Sequence, residues 1–261
     1  MEKSTIKWAM YLNYFVFAIL LNSVGIVILK AQRNYGVDEL EASILEAFKD
    51  LPIAIVSFLV ASFLPRIGYK RAMLIGLGLV YMACITMYFG NSFATAKLLF
   101  ATVGVSFALI KVSVYSLIGT VTENQQEHNS LMSSIEGVFM IGIALAYFLF
   151  PAFNSETNPD AWLNVYWLLA GISGVSFAFL FLAKSENQVE VPGVNLLDDF
   201  RQMFQLMAKL LTIVFVISAF LFVMIEQGIM SWLPTFNSKV LHLPENISIM
   251  MASILAISLA V

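Results

Sequence analysis

Residues 61–79 read ASFLPRIGYKRAMLIGLGL, and the fold turns on what the basic patch at their centre separates. Arg66, Lys70 and Arg71 sit between apolar runs at 43–64 and 72–91. Each run holds the about 20 mainly apolar residues that a membrane-spanning helix needs. The patch therefore reads as a tight loop between two antiparallel spans at a membrane face. The rest of the chain repeats the pattern: apolar stretches at 8–29, 97–119, 130–152, 162–183 and 210–236 bring the expected spans to seven, and an eighth starts near 247.

Composition agrees. Of 261 residues, 60% are hydrophobic and only 12% charged, against about 25% charged in a soluble domain, and the mean hydropathy is +0.85. This is a polytopic membrane protein in contact with the lipid bilayer. The net charge of -3 without a basic stripe gives no nucleic-acid signal. One cysteine, Cys84, leaves no internal disulfide framework and no thiolate metal site. His128 and His242 lack zinc spacing, and no nucleophile elbow, phosphate loop or dinucleotide fingerprint occurs, so neither an enzyme nor a cofactor is expected. The first apolar run is too long for a signal-peptide core and should stay as a span. The sequence stops at Val261 inside an apolar helix, which reads as a C-terminal truncation.

Loops between the first six spans are short, whereas 184–209 is long, polar and broken by Pro192-Gly193. We expect a six-span bundle over 1–183, a cytoplasmic linker over 184–209 and the start of a second bundle over 210–261, as in transporters built from two related halves. An offset of 206 residues lays YGVDELEAS over HLPENIS and brings Asn22 near Gln227, a weak internal echo. With the N-terminus inside, Lys3, Lys7, Arg66, Lys70, Arg71, Lys184, Arg201 and Lys209 fall on the inner side, against Lys30, Arg33, Lys97 and Lys239 outside. That bias predicts a cytoplasmic N-terminus, in a bacterial inner membrane.

The 61–79 loop resembles the signature loop of the major facilitator superfamily, G-x-x-x-D-R-x-G-R-R. Arg66, Gly68, Lys70 and Arg71 match or nearly match; Ala61 replaces the leading glycine and Pro65 the acid. IGYKRAMLIGLGL in the loop, SIEGVFMIG (134–142) and EQGIMSWLPTF (226–236) are similar to elements of one branch, the fucose:proton symporter-like sugar transporters. The resemblance implies an all-α membrane protein of the major facilitator fold that moves a sugar or sugar derivative with protons by alternating access. Two departures matter: Asn22 and Ala108 stand where that branch carries acids in spans 1 and 4.

The charges placed inside spans are the candidates for site chemistry. An ionisable group at the bilayer centre costs roughly 2.5 to 3.5 kcal/mol on insertion scales, so it normally faces a bundle interior or cavity. Lys111 and Glu136 fall at matching depth on consecutive antiparallel helices, which predicts an ion pair: either Lys111 binds an anionic or hydroxyl-rich solute, or switches between solute and Glu136 as protons come and go, or the pair is a purely structural bridge between helices. KVSVYSLIG around Lys111 also resembles an element of proton-coupled peptide transporters, whose first-span motif is absent here. Glu46, Lys49 and Asp50 share one helical face; they are either a solvated outer rim with a local Glu46–Lys49 pair or the outer part of a translocation path. From the second half, Glu226 and Gln227 are the expected partners across the central axis. Asn22 and Tyr115 would serve a sugar's hydroxyls and ring, and Trp232 enters on the family likeness. A secondary transporter of a small polar solute is the favoured function, with Glu136 or Asp50 as the protonated group. A carrier or exporter of organic anions and a non-transporting membrane sensor or inactive fragment are the rivals. The sequence does not define an oligomeric state.

Overall fold

The computed structural model describes residues 2–155, 157–183, 205 and 208–260, all helix and connection. Nine α-helices are present among them: α1 Glu2–Asn22, α2 Val24–Asn34, α3 Glu39–Ile67, α4 Tyr69–Gly90, α5 Phe93–Val121, α6 Gln125–Ala152, α7 Val165–Leu182, α8 Leu210–Lys239 and α9 Glu245–Ala260. A single 3-10 turn, Ala161–Asn164, leads into α7. Six described helical stretches are long and apolar enough, by length and composition, to cross a membrane, and α3 adds a further helix of 29 residues. Most of the expected linker, 184–204 and 206–207, lies outside the described residues.

Helix ends follow local chemistry. Asp38 caps α3 by accepting from the Glu41 amide, Ser92 and Thr95 form a reciprocal capping box at α5, and Asn124 accepts from the Glu127 amide at α6. Such caps satisfy backbone donors that the first turn leaves without partners. The basic loop is tighter than the sequence suggested. Gly68 alone joins α3 to α4, at φ 90° and ψ 129°, a conformation that glycine adopts without Cβ strain. Lys70 and Arg71 therefore belong to the first turn of α4. Lys70 donates from there to the carbonyls of Phe181 and Ala183 at the end of α7, so it fastens one helix start to another helix end. Arg71 is exposed; the Arg66 side chain lies outside the described residues.

The expected first span, 8–29, is not continuous. It is interrupted at Ser23, between α1 and α2, although backbone bonds from Ser23 to Ile19 and from Val27 to Ser23 carry the ladder past that residue. The Asn22 amide donates to the Ala18 carbonyl at 2.8 Å and the Ser23 hydroxyl to the Leu20 carbonyl at 2.7 Å. Short polar side chains that bond back to the preceding turn compete with the helical ladder and bend it.

In the first half the principal packings are α3 with α5, α4 with α5, α4 with α7 and α1 with α6. Small residues set the approach: a Cβ on Gly104 would lie 2.3 Å from the Lys49 carbonyl oxygen, and one on Gly142 would lie 2.6 Å from Ala18 Cβ. Close approach at small residues is how helices pack where lipid supplies no hydrophobic drive between them. Helices α8 and α9 join the others mainly at one end. Fully buried residues of α8 begin only at Met230, and α8 and α9 lean on α2 and α6 respectively.

Candidate functional site

Phe107, Lys111 and Tyr115 are spaced by four along α5 and so share one face. Beneath that face lies an aromatic cluster supplied by α1 and α6. Tyr14 meets Phe107, Tyr115 and Phe139 with ring centroids 6.3, 6.3 and 5.8 Å apart, and Phe17 stacks on Phe107 at 5.8 Å. Tyr14 and Phe17 are buried, which makes this cluster a rigid floor under the polar groups.

Those polar groups are not arranged as depth alone suggested. No ion pair forms between Lys111 and Glu136. The Tyr115 hydroxyl donates to the Glu136 carboxylate at 2.6 Å, while the exposed Lys111 ammonium lies 5.7 and 5.8 Å from the ring centres of Phe107 and Tyr115. The physical reason is rotational phase: Lys111 projects along its own helix face, and the phenol one turn further on reaches the acid first.

Glu46, Lys49 and Asp50 also differ from the rim expectation. Lys49 is buried at 3% exposure. It sits 3.5 Å from Asp50 and donates to Gln227 of α8 at 3.4 Å. The local Glu46–Lys49 pair is absent; one Glu46 carboxylate oxygen is buried without a hydrogen-bond partner, and the Asp50 side chain is half exposed. The solvated-rim reading thus fails for Lys49, because the crossing of α3 and α5 at Gly104 draws its backbone inward. Asn22 and Gln227 line one narrow gap together with Gly25, Tyr147 and Ser231. Glu226 is half-buried, and Trp232 packs partly buried against the core.

A second set of contacts, which sequence reasoning missed, ties α8 and α9 to the earlier helices at the end where α2 finishes and α3 begins. Glu245 pairs with both Lys30 and Arg33 of α2, Lys239 pairs with Glu39, and the Asn154 amide donates to Asn246 at 2.6 Å. Lys30 is buried and its ammonium lies 5.9 Å from the Trp162 ring centre. Lys239, hydrogen-bonded to the exposed Glu39, holds that carboxyl below the ordinary carboxylate range. Lys30, Arg33 and Lys239 carried only an orientation signal in the sequence. The repeat offset was the clue to their partners: Arg33 and Glu39 shifted by 206 are Lys239 and Glu245. The contacts Arg33–Glu245 and Lys239–Glu39 are therefore reciprocal, as a two-fold relation demands. Gly25 shifted by 206 is Ser231, and these two meet backbone to backbone: a Cβ on Gly25 would lie 2.5 Å from the Ser231 carbonyl oxygen.

Among the described residues no group of three or more metal-ligating side chains occurs. A family model described as Major Facilitator Superfamily matches residues 10–261. The solved structure titled "Crystal structure of D-xylose-proton symporter" is similar over 98% of this chain, with a TM-score of 0.65 and 13% identity. This chain spans 66% of that structure's length. No curated protein sequence matches.

Proposed function

Since the chain belongs to the Major Facilitator Superfamily, we propose that it works as a secondary transporter, moving a small polar solute by alternating access between its two halves. The carrying observation is that α3 and α8 meet inside the bundle through a buried lysine and an amide, Lys49 and Gln227, beside the gap that Asn22 lines. A charged and amide-bearing contact between halves is what a site at the repeat interface requires. The solute is a sugar or sugar derivative, in keeping with the amide and aromatic groups and with the D-xylose named for the structural neighbour. Transport is proton-coupled, with Glu136 or Asp50 as the proton carrier. With the N-terminus cytoplasmic, the Glu245 and Lys239 pairs lie at the outer end, so this conformation is closed to the outside and 1–183 and 210–261 act as the two moving bodies.

Uptake of labelled sugar into proteoliposomes carrying the full-length protein, with and without an imposed proton gradient, tests this. Gradient-driven accumulation is expected, and Lys49→Met should abolish it. Accumulation that ignores a protonophore removes the coupling; no exchange of any sugar or sugar derivative removes the transport reading.

A further inference from the structure

Lys111 is a cation partway along an apolar helix, and among the described residues no acid is paired to it. The two rings over which it lies come from its own helix, Phe107 and Tyr115. Ring faces attract an ammonium, yet they leave its charge uncancelled. The acid across on α6, Glu136, accepts the Tyr115 hydroxyl instead. Lys49 is different, since Asp50 and Gln227 both stand against it. Lys30 is paired as well, with Glu245, so among the described residues Lys49 and Lys30 have polar or acidic partners and Lys111 has only its two rings.

Resting on the transport reading above, we propose that Lys111 receives the carboxylate of the solute, which makes the substrate a sugar acid, a polyhydroxylated carboxylate. The distances suit such a molecule. Gly104 packs on the Lys49 backbone, and the Lys49 ammonium reaches Gln227 beside Asn22, so the amides that suit hydroxyl groups lie within one lysine stem of Gly104. Lys111 follows Gly104 by seven residues, a rise of about 10 Å. A six-carbon acid in extended form, together with the reach of the lysine stem, bridges the two levels. The lysine supplies a charge-assisted hydrogen bond, the stronger kind. A neutral sugar would leave that ammonium without its anion, and unfilled polar partners are what make a site reject an analogue.

The test reads binding separately from transport. Unfolding midpoints of the full-length protein in detergent are measured with sodium D-gluconate, D-gluconamide, D-glucose and sodium chloride. D-gluconate should raise the midpoint while the neutral gluconamide and glucose do not. Lys111→Gln should weaken the gluconate response by about tenfold to a hundredfold, the range expected for a hydrogen bond to a charged group, and Lys111→Arg should keep it. A gluconate effect no larger than that of sodium chloride, an equal effect of gluconamide, or a wild-type response in Lys111→Gln overturns the proposal. The gluconate and gluconamide comparison on the wild type decides the matter even if Lys111→Gln does not fold. Stabilisation by gluconate without uptake sinks the transport reading alone, and uptake of glucose without any gluconate effect sinks this inference alone.

Discussion

Adding one methyl group at Gly25 should open the molecule at one end. A Cβ there lies 2.5 Å from the Ser231 carbonyl oxygen and 2.9 Å from its Cα, and ordinary contact starts at 3.4 Å, so α2 and α8 must part by about 0.9 Å. Both obstructing atoms are backbone and cannot rotate away. Overpacking of this kind costs about 1–3 kcal/mol. The clash lies between α2 and α8, so on the proposed two-body reading the molecule relieves it by parting there, which shifts the population by roughly 5- to 150-fold. Gly104→Ala is the control: its Cβ would lie 2.3 Å from the Lys49 carbonyl oxygen, a harsher clash, but inside the first half, where separation of the halves relieves nothing. The assay is labelling of a Thr235→Cys reporter by a membrane-impermeant maleimide added from the latch side. Thr235 is buried at 5% exposure one turn beyond Ser231, and the native Cys84 is buried, so background is low. Gly25→Ala should raise the labelling rate by that factor, whereas Gly104→Ala should lower overall stability and leave the rate alone. A folded Gly25→Ala protein labelled at the parental rate, or equal acceleration in both variants, refutes the reasoning.

The same reporter ranks the ion pairs. Glu245→Gln leaves the buried Lys30 without its anion, and breaking a buried pair costs about 3–5 kcal/mol, so it should unlatch the end more than any other single change there. Lys239→Gln removes an exposed pair and should give a smaller effect that added salt erases. Glu39→Lys should accelerate labelling by setting two cations together, and Glu39→Lys with Lys239→Glu should restore it. Tyr115→Phe deletes the 2.6 Å hydrogen bond to Glu136 and should lower stability by about 1–3 kcal/mol, read as a fall in the unfolding midpoint.

Hydropathy made most of the fold legible, because a helix in lipid must hold all its own backbone hydrogen bonds and therefore shows itself as an apolar run of fixed length. It did not reveal the break at Ser23. Asn22 and Ser23 are only two polar residues in a long apolar run, with neither proline nor a polar cluster to mark a boundary. The site was half legible. The intramembrane charges were recognisable one by one from their cost in lipid, but depth along a helix axis says nothing about rotation around it. That is why Lys111 and Glu136 looked like a pair, and why Lys49 turned out to face Gln227 of another helix and not its neighbour Glu46. Tyr14, Phe107 and Phe139 were invisible because aromatic residues are frequent throughout the chain and only packing singles out these three.

On the proposed two-half reading, the repeats match where they touch and differ where the candidate chemistry sits. Gly25 with Ser231, and Arg33–Glu245 with Lys239–Glu39, obey one offset of 206 residues. Apply the same offset to the charged face of α3 and the match disappears: Glu46, Lys49 and Asp50 fall on Ala252, Leu255 and Ala256. Going the other way, Glu226 and Gln227 fall on Leu20 and Leu21. The break at Ser23 is one-sided too, since its counterpart Ile229 lies within the unbroken α8. A latch between repeats has every reason to be symmetric, because each pair then restrains both bodies alike. A solute with no symmetry of its own does not, because one helix must offer it a cation where the other offers an amide. Side chains that break the repeat inside the bundle are therefore the ones to expect at the solute, and the charge-swap and Gly25 experiments, which act on the symmetric set, should change how often the halves part without changing which solute they recognise.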